Sequence, residues 1–149
     1  MLPVLRFLIT LVAVLSLLSG QGRAMSMIDF AKMNNDDEGD YVVALVGGAA
    51  QVLKESGHPE QASKVNSLFQ DSGANGGFRQ FAIHLKMLRA LNVRNATNPN
   101  NHAHEYLVED AMELTLKDAG ILVSAKSLMQ AGENFQPSGP PRGQVTTGP

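Results

Sequence analysis

The apolar positions of this chain recur mostly at helical spacing, in four long segments and one short one. In Asp40–Ser56, Val42, Leu45, Val46, Ala49 and Leu53 repeat with the helical period. Asp40 is placed to cap that helix. Gly47-Gly48 in its middle costs about 1 kcal/mol per residue relative to Ala. A close crossing by another helix would justify them. The competing reading is a strand over Tyr41–Val46, a glycine turn and a phosphate-cradling helix. It needs GxGxxG or GxxxxGK, and neither is present. Gly57-His58-Pro59 then stops one helix and starts another, since Gly suits the residue after a C-terminus and Pro the first helical position. Pro59–Gln70 sets Ala62, Val65, Leu68 and Phe69 on one face, so residues 40–70 read as a helical hairpin. No second copy follows at a period of about 34, so helical repeats are not supported. His58 is read as a turn residue.

Asp71–Gly77 is a loop by composition. Gly77–Asn92 follows as a third helix, with Phe78, Phe81, Ala82, Leu85 and Leu88 on one stripe. Ile83, Met87 and Ala90 widen that stripe, so this helix is expected to be substantially buried. Arg79, Lys86 and Arg89 fall on its wet side, and His84 is expected to be partly exposed. Asn92–Asn101 is an asparagine-rich loop, and asparagine orders turns by bonding nearby backbone. His102–Asp118 is the fourth helix, with Leu107, Val108, Ala111, Met112, Leu114 and Thr115 apolar, and Gly120 ends it. Ile121–Val123 is short and extended. Ser124 caps a last helix, Ala125–Ala131, with Leu128 and Met129 inward. The expected fold is all-α: a compact bundle of four main helices plus one short C-terminal helix, spanning 40–135. Residues 25–39 are expected as a flexible polar lead-in. Residues 136–149, rich in Pro and Gly, are expected as a disordered tail.

The first 24 residues break the helical pattern. Arg6, the apolar run Phe7–Leu18 and the small residues Gly22 and Ala24 follow the order of a secretory signal peptide. The run is short for a permanent span, which needs about 20 apolar residues. Cleavage after Ala24 and a periplasmic or secreted location are therefore expected. The alternatives are an uncleaved anchor or a true start at Met25 or Met27. No Cys follows the run, which excludes a lipoprotein anchor.

Composition then narrows the chemistry. Residues 25–149 suffice for one ordinary domain. The leader carries Arg6 and Arg23 and no acid, so the remainder is two charges more negative than the chain's formal −2. No basic cluster exists to hold phosphates, which argues against nucleic acid. The absence of Cys excludes disulfides, thiolate zinc and a cysteine nucleophile. An exported domain without disulfides fits a bacterial periplasm or medium better than a eukaryotic secreted module. Asn95-Ala96-Thr97 is formally a glycosylation acceptor, relevant only in a glycosylating host.

Three motifs fall short of a known chemistry. Asn34–Asp40 looks like the start of a calcium loop, but Leu45 stands where the bidentate Glu belongs. HExxH begins at His104-Glu105, but Val108 replaces its second His. No GxSxG and no Ser-x-x-Lys is present. His102-x-His104 with Glu105 or Glu109 remains as a metal pair, needing a further ligand such as His84 or His58. Glu105, Glu109 and Glu113 form an i, i+4, i+8 row, read as a solvated helix face with Glu113 paired to Lys117. The expected role is binding rather than catalysis, with no cofactor, as an inhibitor or accessory subunit. The partner would be another protein or a second copy of the chain. The candidate binding residues are Asn95, Asn98, Asn100, Asn101, His102, His104, Glu105 and Glu109. The alternative is a metal-dependent hydrolase using His102, His104 and Glu105.

Overall fold

The computed structural model describes residues 24–98, 100 and 104–143. The leader up to residue 23, and with it the question of cleavage, lies outside the described residues, as does the last part of the tail, 144–149. Among the described residues there are six α-helices and no strand: α1 (Met27–Lys32), α2 (Asn35–Glu55), α3 (Pro59–Gln70), α4 (Gly77–Ala96), α5 (Val108–Asp118) and α6 (Ala125–Gly132). The helices pack as a closed sequence of neighbours, α2 on α3, α3 on α4, α4 on α5, α5 on α6 and α6 back on α2. Their shared core holds Leu45, Val65, Val108, Met112, Leu116 and Leu128.

The lead-in is structured, contrary to expectation. Ser26 caps α1 by accepting from the Asp29 N–H at 3.0 Å. Met27, Phe30 and Met33, three residues apart, then turn into the core. The Phe30 ring lies 6.2 Å from that of Tyr41 on α2 and 6.4 Å from that of Phe81 on α4. α1 therefore fills the space between two helices that are not direct neighbours. α2 also starts earlier than expected. Its cap is Asn34, which accepts from the Asp37 N–H at 2.8 Å, and Asp40 is simply an exposed helical residue.

Both helix stops are where the glycines placed them. Gly57 has φ +84° and Gly120 φ +78°. The next N–H in each case reaches back five residues, His58 to the Leu53 carbonyl at 2.8 Å and Ile121 to that of Leu116 at 2.9 Å. The close crossing expected at Gly47-Gly48 exists at Gly48 alone. A Cβ there would come within 2.0 Å of the Ala131 Cβ on α6, while a Cβ at Gly47 would meet nothing within 4 Å.

Three expectations on the second half are corrected. α4 runs on to Ala96, and only Gly77, Phe81 and Leu88 on it are buried. Phe78, Ile83, Met87 and Val93 face outward, because the widened stripe is broader than the surface its neighbours cover. α5 begins at Val108 rather than His102. Asn92 grips Tyr106 from both sides, donating to its carbonyl at 2.8 Å and accepting its N–H at 2.8 Å. That holds 104–107 out of the helix, and Asp110 then accepts the Leu107 N–H at 2.7 Å to start α5. The described part of the tail is anchored: Asp37 accepts from the Ser138 N–H at 2.9 Å, the Ser138 hydroxyl at 2.8 Å and the Gly139 N–H at 3.2 Å.

Candidate binding groove

A groove of about 720 Å³ runs between α1 and the C-terminal part of α4. α1 contributes Met27, Ile28 and Ala31, because its buried face is only one residue in three and the next positions turn up and sideways. α4 contributes Val93 and Ala96 from the extra turn that the sequence had given to a loop. Ile28 is 64% exposed and Val93 66%. Lys32, Arg89, Asn95 and Glu105 stand at the rim. Among the described residues neither Lys32 nor Arg89 is in an ion pair. Asn92 lies at the base, where its grip on Tyr106 fixes the wall that carries Glu105.

The expected site residues separate into three groups. Asn95 and Glu105 reach the groove. Asn98, Asn100 and His104 lie exposed on the connection beyond it, where the Asn98 side chain accepts the Asn100 N–H at 3.1 Å. Asn101 and His102 lie outside the described residues. Glu109 is the correction: it is 0% exposed and belongs to the core. With α5 starting at Val108, Glu109 falls in the first turn and points inward. It accepts the Tyr41 hydroxyl, and its two oxygens lie 3.1 and 3.2 Å from the Met25 backbone nitrogen. Burial pushes its carboxyl up from the ordinary range, against the Tyr41 and Met25 donors. Burial and the neighbouring carboxylate likewise push the Tyr41 phenol up.

The carboxylate row is thereby dissolved. Glu105 is off the helix and exposed, Glu109 is in the core, and Glu113 accepts the Ala125 N–H at 2.6 Å to hold the start of α6. His84 is partly exposed, as expected, and its Nε2 lies 2.7 Å from the Asp118 carboxylate, tying α4 to the end of α5. Among the described residues no three His, Asp or Glu side chains gather as a metal site.

Half of the groove was missed because 25–39 reads as polar. The signal was present as Ser26-x-x-Asp29, a helix-start pattern, followed by Met27, Phe30 and Met33 at a constant interval of three. No protein-family model, no curated protein and no solved structure matches this chain.

Proposed function

We propose that this chain is an exported binding module that acts without catalysis, taking an apolar segment of a partner protein into the α1–α4 groove. The observation that supports it is that Ile28 and Val93, two large exposed apolar side chains, both line one groove of about 720 Å³. Single exposed apolar residues are common on protein surfaces, but several gathered in a concave setting mark contact sites. Lys32 and Arg89 at the rim favour a segment with apolar anchors and an acidic flank, by charge complementarity. Its role would be that of an inhibitor or accessory subunit.

The test is co-purification of the exported protein with its partner, in wild type and in Val93→Asp. Val93 is exposed, so the substitution should leave the melting temperature nearly unchanged, within about 0.5 kcal/mol of stability. It should abolish capture, while Leu122→Asp, on the exposed residue after Ile121, should not. Light scattering of the purified protein distinguishes a second copy as the partner. A partner retained by Val93→Asp, or a monodisperse protein that captures nothing, would defeat this reading.

A further inference from the structure

The least expected group in the molecule is the Glu109 carboxylate. It is fully enclosed, and among the described residues no Lys, Arg or His is paired with it. Its partners are neutral donors, the Tyr41 hydroxyl from α2, the Met25 N–H and its own backbone N–H. Among the described residues the charged group that acts on it is Asp110, of the same sign. Burying a carboxylate without a cation is costly. Its place in the first turn of α5, where the helix dipole favours an anion, offsets a part of that cost. The geometry around Met25 indicates what is missing.

Met25 is positioned independently of whatever precedes it. Its carbonyl accepts the Val108 N–H at 3.1 Å, satisfying the first free donor of α5. Met27 and Phe30, just after it, are locked in the core. Its nitrogen faces both oxygens of Glu109 symmetrically, the arrangement a cation would take against a carboxylate. Ala24, immediately before, is exposed and borders an open hollow of about 420 Å³. Ala24 is also the residue after which the sequence pattern expects cleavage.

We propose that Glu109 is a receptor for the α-ammonium of Met25, which cleavage after Ala24 creates, so that processing completes the core. Hydrolysis by a peptidase breaks the Ala24–Met25 amide and consumes one water. The Ala24 carbonyl carbon takes the oxygen and leaves as a carboxylate, and the Met25 nitrogen becomes –NH3+ at neutral pH. Two of its hydrogens go to the Glu109 oxygens, and the third is left to the hollow that Met25 lines. The unprocessed chain buries the carboxyl with no counter-charge. The processed chain has a buried, hydrogen-bonded ion pair, so removal of the leader and tightening of the fold are one event.

The experiment expresses the full chain with its leader in an exporting bacterial host. A second full chain carries one glycine inserted between Ala24 and Met25, so that its processing leaves the ammonium one residue too far out. Mass measurement of the exported wild type should show a start at Met25. Its melting temperature should exceed that of the insertion variant by on the order of 10 °C. The gap should collapse when both carry Glu109→Gln. A readout on wild type alone covers the case in which that variant does not fold: the α-amino group, followed by NMR, should titrate above the ordinary range of about 7.7–8.0. The ionisable groups around it are Glu109, Tyr41 and Asp110 in the core and Asp29, Lys32, Asp37 and Glu133 on the hollow, and Glu109, in contact, sets the direction. The added stability is then fully present below the unfolded amine's pKa and lost as pH rises through the folded value. A start other than Met25, equal melting temperatures, or an α-amino group titrating in the ordinary range would each overturn the proposal.

Discussion

Two carboxylates hold the segments that flank this helical domain, and they do so under opposite conditions. Asp37 binds the outgoing segment through Ser138 and Gly139, and Glu109 binds the incoming one through Met25. Both lie in the first turn of a helix, and both are nearly inaccessible, at 1% and 0% exposure. Accessibility alone would equate them. Their donors do not. Asp37 receives the Ser138 N–H and hydroxyl, the Gly139 N–H and the Asn34 amide, under a thin cover of exposed tail. Those donors, the Ser138 N–H foremost, hold its carboxyl below the ordinary range. Glu109 receives the Tyr41 hydroxyl, the Met25 N–H and its own backbone N–H under packed helices, and desolvation wins, so its carboxyl is pushed up. A buried anion is comfortable or strained according to the balance between the donors that replace its water and the desolvation that its cover imposes.

Removing the strained carboxylate should have the largest effect. Glu109→Ala strips the acceptor from the Tyr41 hydroxyl and the Met25 N–H and leaves a void among α1, α2 and α5. Two buried donors without partners cost about 1–3 kcal/mol each. A loss of about 3–5 kcal/mol in urea unfolding is expected, and a loss under about 1 kcal/mol would show that the carboxylate contributes little. Gly132→Ala attacks the same site from α6 without touching either carboxylate. A Cβ there would lie 2.6 Å from the Tyr41 Oη and 3.0 Å from its ring. Tyr41 would be pushed off Glu109, at a cost of about 1–3 kcal/mol for overpacking. Because both changes break the Tyr41–Glu109 bond, the double variant should lose less than the sum of the two. Strict additivity would mean that the glycine serves packing alone.

The helices themselves were largely legible in the sequence, since the period of apolar positions, the stops at Gly57 and Gly120 and the crossing at Gly48 are all local signals. What was hidden depends on contacts between distant residues. Asn92 and Tyr106 decide where α5 begins, and no local pattern announces a bond across fourteen positions. Once that start moves, Glu109 changes from the middle of a presumed solvent face to the core. α1 was hidden because Asp29 and Lys32 dilute its apolar triplet. The anchoring of Ser138 was hidden because composition reports the flexibility of a segment and says nothing of a carboxylate a hundred residues away. Two of the candidate binding residues, Asn95 and Glu105, line the groove, and their apolar neighbours from α1 were not among the candidates.

The smallest global effect should come from the well-satisfied carboxylate. Asp37→Asn retains one acceptor oxygen and the size of the side chain, but turns the other oxygen into an NH2 that cannot accept, so the bonds of either Ser138 or Gly139 are lost and the remainder become neutral. The folded helices lose little, so the melting temperature should fall only slightly. The tail loses its anchor, so the amides of Ser138 and Gly139 should exchange faster with solvent while those of α2 do not. The sign of the pH response sharpens the contrast. Asp37 has a folded pKa below its unfolded value of about 3.9. Its stabilisation is therefore present above that value and lost as pH falls through the folded one, and Asp37→Asn should remove that acid-side loss. Glu109, in the chain with an amide at Met25, has a folded pKa above its unfolded value of about 4.3. The folded state then holds the extra proton, and stability declines as pH rises from about 4.3 through the folded value. Two carboxylates of one domain should thus tilt its stability in opposite directions with pH. Unfolding curves of the chain that keeps its leader, with Asp37 and with Asp37→Asn, collected between about pH 2.5 and 7 resolve the two contributions. Superposable acid limbs would mean that the Asp37 anchor is no stronger in the folded protein than in water.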